Sequence, residues 1–180
     1  VEDTMMVVDF AGDAEPWRSI DDVVMGGVSS SRMVVRDGVG TFFGEVSLAN
    51  NGGFASARSL PARHDLSEFD GLTLRVRGDG KTYGFRLRTS SSFDGVSYQI
   101  KFTPPAGEWA DVAIGFSEFQ PVFRGRRVPG AEPLDPSRVK TLGVIISDKQ
   151  TGPFRLDIRW IRGWTETDVQ GADADAEVGR

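Results

Sequence analysis

Two adjacent carboxylates, Asp21 and Asp22, stand between Trp17-Arg18 and the pair Gly26-Gly27 in the run WRSIDDVVMGGVS. Acidic side chains in a loop can hold a hard cation. Paired carboxylates are also the tools of glycoside hydrolysis, where they face each other across the substrate at roughly 5–9.5 Å. Neighbouring residues of an extended chain point to opposite sides, so Asp21 and Asp22 are poor partners for one another. The plainer expectation is that an aspartate ties backbone amides in a tight loop while the glycines permit the turn. The rest of the chemical inventory is thin. The chain has no cysteine and one histidine, His64. Thiolate nucleophiles, disulfides, iron–sulfur clusters and multi-histidine metal sites are therefore excluded together. His64 lies in the polar connector 61–68 with no nucleophile in view, and it reads as a surface residue. No catalytic residue, metal or cofactor is assigned, and the expectation is a protein that is not an enzyme.

Binding residues are better represented. Seventeen of the 21 basic residues are arginine, the side chain that best holds planar oxyanions and stacks on rings. Arg75, Arg77, Arg86, Arg88 and Lys101 share the polar parity of three consecutive strand patterns, which predicts one basic sheet face if those strands are neighbours. Arg58 follows Asn50-Asn51-Gly52-Gly53, a run that reads as a hairpin turn. If it points inward it needs a partner such as Asp21 or Asp22. Of the tryptophans, Trp160 shares parity with Phe154, Leu156 and Ile158 and is expected in the core. Trp109 reads as a packing residue, and Trp17 and Trp164 as the freer two. Residues 120–136 hold four of the nine prolines and the cations Arg124, Arg126 and Arg127, and read as a surface excursion.

The elements that position these residues are strands. Leu72, Leu74 and Val76 alternate with polar residues, as do Tyr83, Phe85 and Leu87, then Tyr98, Ile100 and Phe102, then Leu156 and Ile158. Asp37-Gly38, Gly78-Asp79-Gly80, Asp94-Gly95 and Gly152-Pro153 punctuate them. About ten strands at intervals near ten residues predict an all-β jelly-roll sandwich with little helix. Residues 116–119 can make one turn, and so can Asp135-Pro136-Ser137-Arg138, with Asp135 as cap and Pro136 at the first position. At 180 residues and 19.6 kDa the chain suits one domain, placed at residues 5–164. Residues 165–180 form an acidic, frayed tail that carries most of the net charge of −5. That charge argues against a nucleic-acid partner. No run approaches the roughly 18 apolar residues of a membrane span, and the acidic start is no signal peptide.

Four stretches resemble a known family: the WRSIDDVVMGGVS run, FGEVSLANNGGFAS with Arg58 just beyond, VRGDGKTY, and FQPVFRGR with SDKQTGPF downstream. They are similar to the complex I intermediate-associated protein 30 family, over roughly residues 5–164. The resemblance implies a galactose-binding-domain-like jelly roll and a role in assembling a membrane respiratory or photosynthetic complex. Without a transit peptide or a Rossmann glycine signature, the chain is expected to be a free-standing bacterial member, cytoplasmic or peripheral to the membrane.

The reading that results is a non-enzymatic protein-binding module, an assembly factor or chaperone. Its partner would be a respiratory complex subunit or an assembly intermediate. The alternative is a carbohydrate-binding module. The partner surface is expected to join Trp17, Arg18, Asp21, Asp22, Met25, Gly26, Gly27 and Arg58 to Phe123, Arg124 and Arg126, because aromatic and arginine side chains dominate interface energies.

Overall fold

The structure, a computed structural model, describes residues 5–22, 27–90 and 95–167. Thirteen strands form among them, all paired antiparallel. The chain opens with β1 (Met6–Asp9), the two-residue β2 (Arg18–Ser19) and the hairpin of β3 (Ser30–Arg36) and β4 (Val39–Val46). Then follow β5 (Ala55–Arg58), β6 (Gly71–Arg77), β7 (Tyr83–Arg88) and β8 (Ser97–Phe102). β9 (Trp109–Gly115), β10 (Gln120–Phe123) and β11 (Arg126–Arg127) precede the last pair, β12 (Thr141–Ile146) and β13 (Gly152–Trp164). The strands beyond the expected ten are short ones. β2 and β11 have two residues each, too few to show an alternation.

The strands lie in two sheets. Sheet A runs β3-β4-β13-β6-β9, with β1 added on β13. Sheet B runs β11-β10-β8-β7-β12-β5-β2. Their inner faces enclose one core, in which Phe42, Leu72, Leu74, Phe85, Leu87, Leu142, Leu156 and Ile158 are fully buried. The alternating runs of the sequence thus face the core as their parity predicts, apart from Ile100 and, beyond a register shift, Trp160. Ile100 is only half-buried and packs on the edge of the cluster.

Three local expectations change. Asn50 to Gly53 make no hairpin: they lie in the connection that carries the chain from β4 in sheet A to β5 in sheet B. Trp160 leaves the core because the pairing of β13 with β6 shifts register between Ile158 and Trp160. A bulge of this kind inverts parity beyond it. Ile161 becomes the buried residue, and Trp160 stays half-buried with the Arg162 guanidinium 4.1 Å from its ring centre. The excursion at 120–136 begins as a tight hairpin, β10 to β11, turned by Arg124 (φ 51°) and Gly125 (φ 78°). The two short turns stand where expected, at Phe116–Glu118 and Pro136–Arg138, and Asp135 caps the second by accepting from the Ser137 amide at 3.0 Å.

Candidate functional site

Asp22 is a structural hub. It is 1% exposed, and its carboxylate accepts from the Ser29 amide at 2.9 Å, the Ser29 hydroxyl at 2.5 Å, the Gly53 amide at 2.7 Å and the Phe54 amide at 3.3 Å. Burial works to raise its pKa. The Ser29 hydroxyl and the amides of Gly53, Ser29 and Phe54 outweigh that and hold it below the usual carboxylate range. Gly27 and Gly52 are glycines for a packing reason, since a Cβ at either would strike this carboxylate. Asp21 accepts from the Ser31 hydroxyl at 2.5 Å and the Ser56 amide at 3.1 Å. The two carboxylates therefore tie segments of both sheets together through hydroxyls and backbone amides. Among the described residues no group of three or more acidic or histidine side chains stands where a metal could be held. Met25 and Gly26 lie outside the described residues.

Trp17 is 5% exposed and packs on Phe10, ring centres 5.8 Å apart. Trp164 is half-buried and donates to the Leu72 carbonyl at 3.2 Å. Neither is the free aromatic that the sequence led us to expect: Trp17 belongs to the core, and Trp164 is held by its bond to Leu72. His64 is half-buried rather than superficial, and burial lowers its pKa. It lines a groove of about 490 Å³ with Trp17, Leu142 and the acidic Asp9, Asp13 and Glu15.

The five cations expected on one face are divided between two. β6 belongs to sheet A and β7 and β8 to sheet B, because the chain changes sheet between them. On the outer face of sheet A three arginines are paired with carboxylates. Arg77 and Arg155 donate to the buried Asp157 at 2.8 and 3.1 Å, and Arg75 pairs with Asp111 at 2.9 Å. Arg77 and Arg159 stack on Trp109, each 4.7 Å from its ring centre. This face holds itself together.

The outer face of sheet B differs. Residues directly opposite on neighbouring strands share a face, and one such row crosses six strands: Arg18, Arg58, Gly143, Arg86, Gln99 and Gln120. Thr141 and Arg88 face each other in the next row. The partners named here are neutral. Arg86 donates to the Gln99 side chain at 2.6 Å and Arg88 to the Gly95 carbonyl at 3.0 Å. Burial, then the charges of Arg88 and Arg58, push the Arg86 pKa down to about 10. β10 continues past Gln120 to the β10–β11 turn, where Phe123 and Arg126 lie opposite one another on the other parity from Gln120. There Phe123 is 38% exposed, with the Arg124 guanidinium 5.3 Å from its ring centre and Arg126 exposed beside it.

The two halves of the expected partner surface are therefore not adjacent. β2 and β10 lie five strand spacings apart, roughly 24 Å. What joins them is the outer face of sheet B. The parity of Arg86 and Arg88 was visible in the sequence. Thr141 and Gly143 were missed, because nothing local tells that β12 inserts between β5 and β7.

A family model described as complex I intermediate-associated protein 30 matches residues 8–158. An uncharacterized protein of Schizosaccharomyces pombe is 33% identical, with 84% of this chain and 81% of that protein covered. The mouse mitochondrial complex I intermediate-associated protein 30 is 35% identical over 57% of this chain and 33% of its own length. The Drosophila melanogaster protein of that name is 29% identical over 69% of this chain and 49% of its own length. The chain thus spans a third to a half of those two mitochondrial relatives. The expected cytoplasmic location fails against these findings, since the relatives whose names give a location are mitochondrial, or chloroplastic in Arabidopsis thaliana. Among solved structures, a family 11 carbohydrate-binding module of Clostridium thermocellum superposes with a TM-score of 0.64 at 17% identity, covering 89% of this chain and 93% of that one. A family 30 module from the same organism gives 0.54 at 17%, covering 90% and 96%. These likenesses establish the jelly-roll fold of the galactose-binding type.

Proposed function

This chain belongs to the complex I intermediate-associated protein 30 family, and we propose that it is a non-catalytic docking module used in assembling a membrane respiratory or photosynthetic complex. Its partner is an acidic protein surface of an assembly intermediate, held on the outer face of sheet B. The observation that carries this reading is the cross-strand row of Arg18, Arg58 and Arg86, with the Phe123–Arg124–Arg126 turn at the far edge of the same sheet. It supplies guanidinium groups along a face with an aromatic at its rim, the composition of interface hot spots. On sheet A, Arg75, Arg77 and Arg155 are each held by a carboxylate. The Asp21 and Asp22 cluster supports the site by fixing the strands that present Arg18 and Arg58.

Charge reversal tests the reading. Arg18→Glu with Arg126→Glu changes two exposed positions and leaves the core alone. Recovery of respiratory assembly intermediates with the tagged protein, from the native organism at low salt, is expected to fall about tenfold with no change in melting temperature. Undiminished recovery would contradict the reading. Carbohydrate binding is the second reading, favoured by the fold alone. It is weaker because the six-strand row offers arginine, glutamine and glycine where a sugar ring would stack on an aromatic.

A further inference from the structure

The geometry points to a docking groove for an extended basic segment of a partner protein, which adds as a strand to the free edge of β1. One wall of the groove is β1 itself, since Met6, Val7, Val8 and Asp9 all line it. β1 pairs with β13 alone, and its other edge carries no strand among the described residues. An edge of that kind offers its peptide groups to an extended chain laid beside it. Met6-Val7-Val8 has neither the proline nor the charge that would guard it. At Asp9 the loop turns away, its carbonyl accepting from the Gly12 and Ala14 amides at 3.0 and 3.2 Å. The opposite wall follows β5 and is fixed on β12. The Ser59 amide donates to the Leu142 carbonyl at 2.8 Å, the Leu142 amide to the Ser59 hydroxyl at 2.9 Å, and the His64 amide to the Val139 carbonyl at 2.9 Å. Between the walls lie about 490 Å³, a volume common to ligand clefts. Trp17 and Leu142 make an apolar floor, and Leu60 is 49% exposed at its border.

Charge decides the occupant. Asp9, Asp13 and Glu15 line the groove, and among the described residues no lysine or arginine does. None of the three carboxylates makes an ion pair among those residues. Burial lowers the His64 pKa, so at pH 7 the imidazole is neutral and does not offset them. A second copy of this chain, paired edge to edge, would set two acidic lips against each other. A segment that alternates aliphatic and basic residues suits both features. Its aliphatic parity reaches the floor, and its lysines or arginines meet Asp13 and Glu15 at the exposed rim.

None of the sheet B arginines lines this groove, and its test needs no assembly partner, so the failure of one reading leaves the other standing. The purified chain is titrated with the peptide acetyl-Lys-Val-Arg-Val-Lys-amide while backbone amide shifts are followed. Saturable shifts at Val7 and His64 are expected at millimolar peptide, weaker as salt is raised. Asp13→Asn with Glu15→Gln, at two exposed positions, should bind roughly tenfold more weakly with no change in melting temperature. Two further peptides carry N-methyl groups on alternate amides, in one phase or the other. Strand addition uses one phase of amides, so one form should bind at least several-fold more tightly than the other. The proposal is overturned if acetyl-Glu-Val-Glu-Val-Glu-amide binds as well as the basic peptide, or if the double variant binds as wild type does. It is overturned equally if the two methylated forms bind alike, if the shifts fall outside the groove, or if these amides shift with protein concentration alone, as self-pairing would require.

Discussion

At the scale of single residues, Asp22 does the most to hold the partner-facing strands in place. Four donors from two segments converge on one buried carboxylate. Asp22→Ala leaves those donors without an acceptor and should cost about 3–5 kcal/mol in urea denaturation. The same bonds set a pH dependence. The native pKa is below that of the unfolded chain, so the stabilisation is complete above the ordinary carboxylate pKa of about 3.9. It is lost as pH falls from there through the lower native value, because the unfolded state binds the proton more readily. Asp22→Asn should flatten this acid limb of the stability curve, and an unchanged limb would show that other carboxylates govern it. The tying of amides by an aspartate was legible from the DD…GG spacing. That the amides come from Gly53 and Phe54 was not, since those residues are some thirty positions away and meet Asp22 only after β4 hands the chain across to sheet B.

Among the elements, β13 shows where periodicity succeeds and where it stops. Phe154, Leu156 and Ile158 alternate inward as the pattern predicts. Past Ile158 the register shift exchanges the faces, and Ile161, Gly163 and their neighbours follow the new parity. One extra residue has no signature in a strand whose two faces both carry apolar side chains. Ile161→Ala should cost about 2–5 kcal/mol by opening a cavity in the core. Trp160→Gln should cost about 1 kcal/mol, as a substitution on the outer side does. The opposite order of the two values in a denaturation series would place Trp160 in the core and remove the bulge. The change of sheet between β6 and β7 has the same character. Both strands alternate well, so each was legible, but the alternation does not say which sheet a strand joins. For that reason the basic residues read as one face lie on two.

For the whole molecule, the two outer faces divide the work by charge pairing. Sheet A holds Arg75, Arg77, Arg155 and Arg159 on Asp157, Asp111 and Trp109. Sheet B carries Arg18, Arg58 and Arg86 in one row across β2, β5, β12 and β7, with an aromatic turn at its far edge. Fold class and family were legible from alternation and from the WRSIDDVVMGGVS run. The contrast between the faces was not, because it depends on which strands pair. A photo-crosslinking amino acid placed at Gln99, on the outer face of sheet B, and in a second variant at Thr73, on the outer face of sheet A, tests the contrast most directly. Each variant is expressed in the native organism and irradiated before its membranes are solubilised. The docking account predicts that position 99 links to a subunit of a respiratory or photosynthetic assembly intermediate and that position 73 does not. Links from position 73 alone, or equal links from both, would contradict it.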